Sequence, residues 1–172
     1  MADRLTPEQR RLNMSRVRSK NSAAELAVRR SLHAHGFRFR LHRSDLPGKP
    51  DVVMPRHRAV VFVNGCFWHG HDCQLFRLPA TRTDFWTAKI TANRLRDERV
   101  INDLAKLGWR IAVVWECALR GRGRLDGETL STQLATFTTG SMTRETISGV
   151  LSRWGTPQAL TGLPAAEVSQ TE

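Results

Sequence analysis

The spacing of apolar and polar positions divides the chain into a short series of helices and strands. Ser22-Ala-Ala-Glu25 is a capping box, a helix N-terminus in which two backbone donors are satisfied reciprocally. It opens a helix to about residue 35, closed by Gly36, with Leu26, Ala27 and Leu32 as the expected buried side. Phe37-Arg-Phe-Arg-Leu-His42 alternates apolar with polar side chains, the pattern of a half-exposed strand. After the turn Leu46-Pro-Gly-Lys-Pro50, Asp51-Val-Val-Met54 and Arg58-Ala-Val-Val-Phe-Val63 read as two further strands. A long helix is expected from about Thr83 to Leu107, with Trp86, Ile90, Ile101, Leu104 and Leu107 apolar and a heavily charged middle. Gly108 stops it. Trp109-Arg-Ile-Ala-Val-Val-Trp115 is a nearly continuous apolar run, as in a buried central strand. A polar helix covers Gly127 to Thr136. This order of elements predicts a small α/β domain with a mixed sheet.

Composition fits one domain and narrows its partners. The chain has 172 residues, 40% of them hydrophobic, which excludes wholesale disorder and allows a real core. No apolar run approaches the roughly 18–20 residues of a transmembrane helix, and Met1-Ala-Asp-Arg-Leu-Thr-Pro-Glu8 has no signal-peptide core, so no membrane association is expected. A soluble, intracellular protein is expected. Lys and Arg number 27 against 16 Asp and Glu, a formal charge of +11 and the footprint of an anionic partner, with nucleic acid favoured over an anionic membrane surface or an acidic protein. Most of the surplus is arginine, whose planar fork suits phosphate. Residues 7–19 are basic and weakly amphipathic, a short helix that owes its order to a partner. The expected organisation is a basic N-terminal segment at 1–21, a main domain at 22–156 and a flexible tail at 157–172.

The loop from Asn64 to Gln74 carries the densest chemistry. Cys66, His71 and Cys73 can converge from one tight turn, and Cys117 just after the central strand completes a Cys3His set suited to structural zinc. His69 is an alternative to His71 on spacing alone. An odd number of cysteines beside histidines favours metal ligation over disulfides. Asp51, at the start of a strand after a proline turn, can hold Mg2+ beside a phosphate, although a solvated turn aspartate has the same spacing. A histidine left free of zinc could act as general base. Glu25 is explained by the capping box, with a water-mediated place near the metal as its alternative. Phe67, Trp68 and Trp86 can wedge between base steps or pack on the loop.

Several long strings resemble the very short patch repair DNA mismatch endonucleases. They are Asn13-Met-Ser-Arg-Val-Arg-Ser-Lys-Asn21, Leu46-Pro-Gly-Lys-Pro-Asp51, Gly65-Cys-Phe-Trp-His69, Pro79-Ala-Thr-Arg-Thr83 with Phe85-Trp86, and Trp115-Glu-Cys-Ala-Leu-Arg-Gly121. The resemblance runs from about residue 10 to residue 137. It implies a restriction-endonuclease-like mixed sheet flanked by helices, with a structural zinc. It implies an enzyme that nicks 5′ of the thymine in T:G mismatches left by 5-methylcytosine deamination. Asp51 and the main-chain carbonyl of Val63 then ligate Mg2+, and His69 is the general base. Cys66, His71, Cys73 and Cys117 hold Zn2+. Phe67, Trp68 and Trp86 enter the duplex from the major groove, and Met14 lies on the minor-groove side.

The family often has threonine at Val63 and histidine at Asn64, so the part Asn64 plays toward substrate departs from the pattern. Further implied partners are mismatch-repair proteins and, by functional link, a cytosine-5 DNA methyltransferase, with a monomer as the expected assembly. Two rival readings remain. One is a zinc-stapled module that binds distorted DNA without cutting it. The other is a restriction-type nuclease that cuts paired DNA.

Overall fold

The computed structural model describes residues 20–150, together with Thr6, Glu8, Gln9, Arg11 and Leu12. Met14 and the rest of 13–19, and the tail expected at 157–172, lie outside the described residues. Helix α1 spans Ala23–Ala34, and its capping box is complete. Ser22 Oγ accepts from the Glu25 N–H at 3.2 Å, and the Ser22 N–H donates to Glu25 Oε1 at 3.3 Å. The buried face is Glu25, Val28, Arg29 and Leu32, at helical spacing. The expected place of Leu26 is corrected: it is 42% exposed. A polar pair at i and i+4 replaces it inside, with Arg29 Nη2 donating to Glu25 Oε2 at 2.5 Å.

Strand β1 is Val52–Met54, and a short 3-10 turn over Pro55–His57 returns the chain as β2, Ala59–Asn64, antiparallel to β1. Helix α2, Thr83–Lys106, crosses over to β3, Arg110–Trp115, parallel to β2. Helix α3, Gly127–Thr139, then crosses to β4, Arg144–Ile147, parallel to β3. The sheet order is β1-β2-β3-β4. Inward side chains alternate between two cores. Val61, Val114 and Ile147 meet Val28 and Leu32 of α1 and Leu134 and Phe137 of α3. Val60, Ile111 and Val113 meet Leu104 of α2 on the opposite face. Both faces are therefore covered, which is why β2 and β3 read as continuous apolar runs.

Three expectations change. The segment 37–42 is not a strand: it bridges β1 only where Arg40 and Val53 exchange backbone hydrogen bonds, both 2.8 Å. His42 takes the left-handed region, φ 48°, which turns its ring inward and ends any pairing. Helix α3 runs three residues beyond Thr136, to Thr139. Strand β4 was not expected at all, being four residues long with only Ile147 buried. Among the described residues, no helix is long and apolar enough to cross a membrane.

Candidate active site and cysteine cluster

Asp51 stands one residue before β1, where antiparallel pairing brings it beside the end of β2. Its Oδ2 accepts the Val63 N–H at 2.8 Å. Burial pushes the Asp51 carboxyl above its ordinary range, and the charge of Glu25 adds to this against the opposing Val63 hydrogen bond and the pull of His42 and Arg29. Glu25, His42 and Asp51 each offer a ligand atom within 4.8 Å of the others. Asp51, Val63, Asn64, His69 and Asp97 line one solvent-open cleft of about 660 Å³.

His69 reaches that cleft from the loop after β2. Its Nδ1 is bonded to Asp97 of α2. A carboxylate only accepts, so neutral His69 carries its proton on Nδ1 and presents the Nε2 lone pair. Burial pushes the Asp97 carboxyl up, but the hydrogen bond and charge of His69, with Arg96, outweigh it and leave the group below its ordinary range. Arg96 Nη2 donates to the other Asp97 oxygen at 3.1 Å.

Cys66, His71, Cys73 and Cys117 converge, each offering a ligand atom within 4.8 Å of the rest. His71 Nδ1 lies 3.7 Å from Cys66 Sγ and 3.5 Å from Cys117 Sγ. All three cysteines are free and buried. His71, rather than His69, therefore belongs to the sulfur cluster. The Cys117 thiol is drawn down by the hydrogen bond from Cys66, by His71 and by the Gly149 N–H, whereas hydrogen bonding to Cys117 and burial push Cys66 up. Three buried thiols and a partly buried imidazole fit a tetrahedral zinc and do not fit magnesium. Trp115 stacks on His71 with centroids 4.1 Å apart and planes at 11°.

Phe67, Trp68 and Trp86 form one half-buried aromatic group. Phe67 lies 5.1 Å from each tryptophan, and the tryptophans are 6.1 Å apart. The Trp68 carbonyl accepts from Asn93 Nδ2 of α2 at 2.8 Å. Gly70, at φ 61°, lets the loop press on the helix: a Cβ there would sit 2.6 Å from Ile90. Phe85 is exposed beside Trp86, with the Arg82 guanidinium 4.5 Å from its ring centre.

A profile of the family described as DNA mismatch endonuclease Vsr matches residues 2–75. The chain is 58% identical over 126 residues to the type II nicking enzyme V.XorIIP of Xanthomonas oryzae, covering 73% of this chain and 93% of that one. It is 45% identical over 140 residues to the DNA mismatch endonuclease Vsr of Escherichia coli, covering 81% and 90%. The chain belongs to the Vsr family of DNA mismatch endonucleases. The type II nicking enzyme V.NmeAIP of Neisseria meningitidis, 41% identical over 122 residues, is a further relative. This member is thus a DNA endonuclease, a hydrolase whose relatives are named for nicking. The profile match holds Asp51, Val63, Asn64, His69 and three members of the cysteine cluster, but ends before Trp86, Asp97 and Cys117.

The structure gathers the expected residues into three neighbouring groups. Asp51, Val63, Asn64 and His69 share the cleft, the Cys3His set closes behind it, and Phe67, Trp68 and Trp86 form the aromatic group. Glu25 is both a capping-box residue and a neighbour of Asp51. Sequence reasoning missed Arg29, His42, Asn93 and Asp97. For two of these a signal existed. Trp86, Ile90, Asn93, Asp97, Ile101 and Leu104 recur at three- and four-residue steps, so the inward stripe of α2 continues through its charged middle. Asn93 and Asp97 are the polar members of that stripe. Nothing in the pattern around His42 distinguishes it from an exposed strand end.

Proposed function

We propose that this Vsr-family endonuclease nicks duplex DNA on the 5′ side of the thymine in a T:G mismatch by Mg2+-dependent phosphodiester hydrolysis. The observation that carries the reading is the placement of Asp51 and an Asp97-bound His69 on one open cleft beside the aromatic group. The donor set proposed at Asp51, its carboxylate with the main-chain carbonyl of Val63, is all oxygen and suits Mg2+. Bound there, Mg2+ would polarise the scissile phosphate and ease deprotonation of the attacking water. His69 Nε2 receives the proton of that water, and Asp97 holds the ring in the required tautomer and balances the charge that forms. Asn64 offers an amide that donates to a phosphate oxygen but carries no proton to the reaction.

Cys66, His71, Cys73 and Cys117 hold Zn2+, which ties the β2 loop to the end of β3 and keeps His69 at the cleft. Phe67, Trp68 and Trp86 enter the base stack at the mismatch, where unstacking costs least, and Met14 contacts the minor-groove side. A mixed sheet covered on both faces, with the metal carboxylate opening β1, supports a restriction-endonuclease-like fold. Mismatch-repair proteins and a cytosine-5 methyltransferase are the proposed functional partners. The Asp97–His69 pair argues against the module that binds without cutting. The test is Asp51→Ala: nicking of a labelled T:G duplex in Mg2+ should vanish while the duplex is still bound. Cutting at the wild-type rate would remove Asp51 from the metal site.

A further inference from the structure

Glu25, His42 and Asp51 have the composition of a three-ligand metal site, yet the surroundings of His42 give it another role. Arg29 is buried, 8% exposed, with Nη1 donating to Asn21 Oδ1 at 2.7 Å and Nη2 donating to Glu25 Oε2 at 2.5 Å. Nη2 also lies 3.0 Å from His42 Nε2, nearer than Glu25 Oε2, which is 3.5 Å from that nitrogen and already accepts from Nη2. A guanidinium has only donors, so Nε2 must be the acceptor and the ring proton must sit on Nδ1. Nδ1 is the atom that faces Asp51, 3.7 Å from Oδ1, while Oδ2 is taken by the Val63 N–H. A protonated nitrogen cannot ligate a metal. At 3.7 Å it is too far for a direct hydrogen bond, so an N–H there acts on the carboxylate through its dipole alone.

We propose that His42 is a positioning residue, locked by Arg29 as an Nδ1–H donor toward Asp51, and that this lock keeps the metal site all-oxygen. The chain Asn21–Arg29–His42–Asp51 thereby biases the orientation of the carboxylate and withholds the imidazole of the Glu25–His42–Asp51 group, which would otherwise draw transition metals in preference to magnesium. Arg29 Nε has no hydrogen-bond partner. Full satisfaction therefore does not explain burying this guanidinium, whereas directing Glu25 and His42 does.

The proposal rests on Asp51 being the metal carboxylate, and the test separates the two claims. Mn2+ is titrated into the full-length, zinc-loaded protein and followed by the loss of free-ion electron paramagnetic resonance signal, with Mg2+ measured by competition. His42→Gln can accept from Arg29 and donate toward Asp51, so it should bind Mn2+ within about two-fold of wild type. His42→Leu should bind both ions roughly 10-fold more weakly, with an unchanged Mn2+-to-Mg2+ ratio. Arg29→Met frees Nε2 and should raise that ratio; if it does not fold, the His42 pair decides. A ratio that falls in both His42 variants would make His42 a ligand and overturn the proposal. So would unchanged affinity in His42→Leu, or an unchanged ratio in folded Arg29→Met. Asp51→Asn is the control for the underlying site: undiminished Mn2+ binding there would refute the metal-site reading itself.

Discussion

Replacing Asp97 by Asn tests the proposed base most sharply, because it changes one oxygen to a nitrogen and leaves the volume of α2 intact. The His69–Asp97 bond is partly shielded, with side chains 18% and 24% exposed, so water competes poorly for it. Aspartate imposes the proton on Nδ1. An asparagine amide can donate to Nδ1 instead, which places the proton on Nε2 and removes the lone pair from the cleft. It also removes the negative charge that balances the imidazolium. General-base catalysis contributes roughly 10²–10⁴-fold, about 3–5 kcal/mol of barrier, and that range is the expected loss. The assay is single-turnover nicking of a T:G duplex at saturating enzyme and Mg2+, with duplex affinity measured alongside. A rate within two-fold of wild type at unchanged affinity would refute the role given to both Asp97 and His69.

Three further outcomes are expected. Because the Asp51 pKa lies above its ordinary 3.8, protons compete with metal earlier, so half-saturating Mg2+ should begin to rise at a higher pH than an ordinary aspartate allows as the solution is acidified. An onset at or below the ordinary value, read by Mg2+ titration of nicking across pH, would contradict the buried setting. Cys117→Ser should lose stoichiometric zinc by elemental analysis and its cooperative thermal transition. Structural zinc is worth roughly 10–16 kcal/mol, comparable to the whole net stability of a domain. Phe137→Ala, emptying a fully buried position between α3 and the sheet, should cost about 3–5 kcal/mol in denaturant unfolding without altering the Mg2+ dependence.

How much of this was legible beforehand follows from where polarity and periodicity agree. Strands β2 and β3 are apolar on both faces and announced themselves, as did α1 through its capping box and the Cys3His set through three members in one loop and the remaining cysteine just after β3. Leu26 was misplaced because Glu25 and Arg29 displace it from the inward stripe, a choice that makes sense only once both are seen beside Asp51. Strand β4 pairs by backbone at the sheet edge and needs little apolar surface, so its sequence says little. His42 became part of the site through a left-handed turn that alternation cannot encode. Asp97 was hidden in a charged run that resembled a solvated face, although its spacing from Ile90 and Leu104 placed it inward.

The central claim is that this cleft cuts at a T:G mismatch, and mapping the cut tests it most directly. Duplexes labelled on either strand, identical except for a T:G, C:G or T:A pair at one position, are incubated with the full chain and Mg2+ and resolved at single-nucleotide length. The account predicts a single nick on the thymine strand, immediately 5′ of the mismatched T, with little or no cutting of either paired control. Equal cutting of the paired duplexes, or binding of the mismatch without any nick, would contradict it.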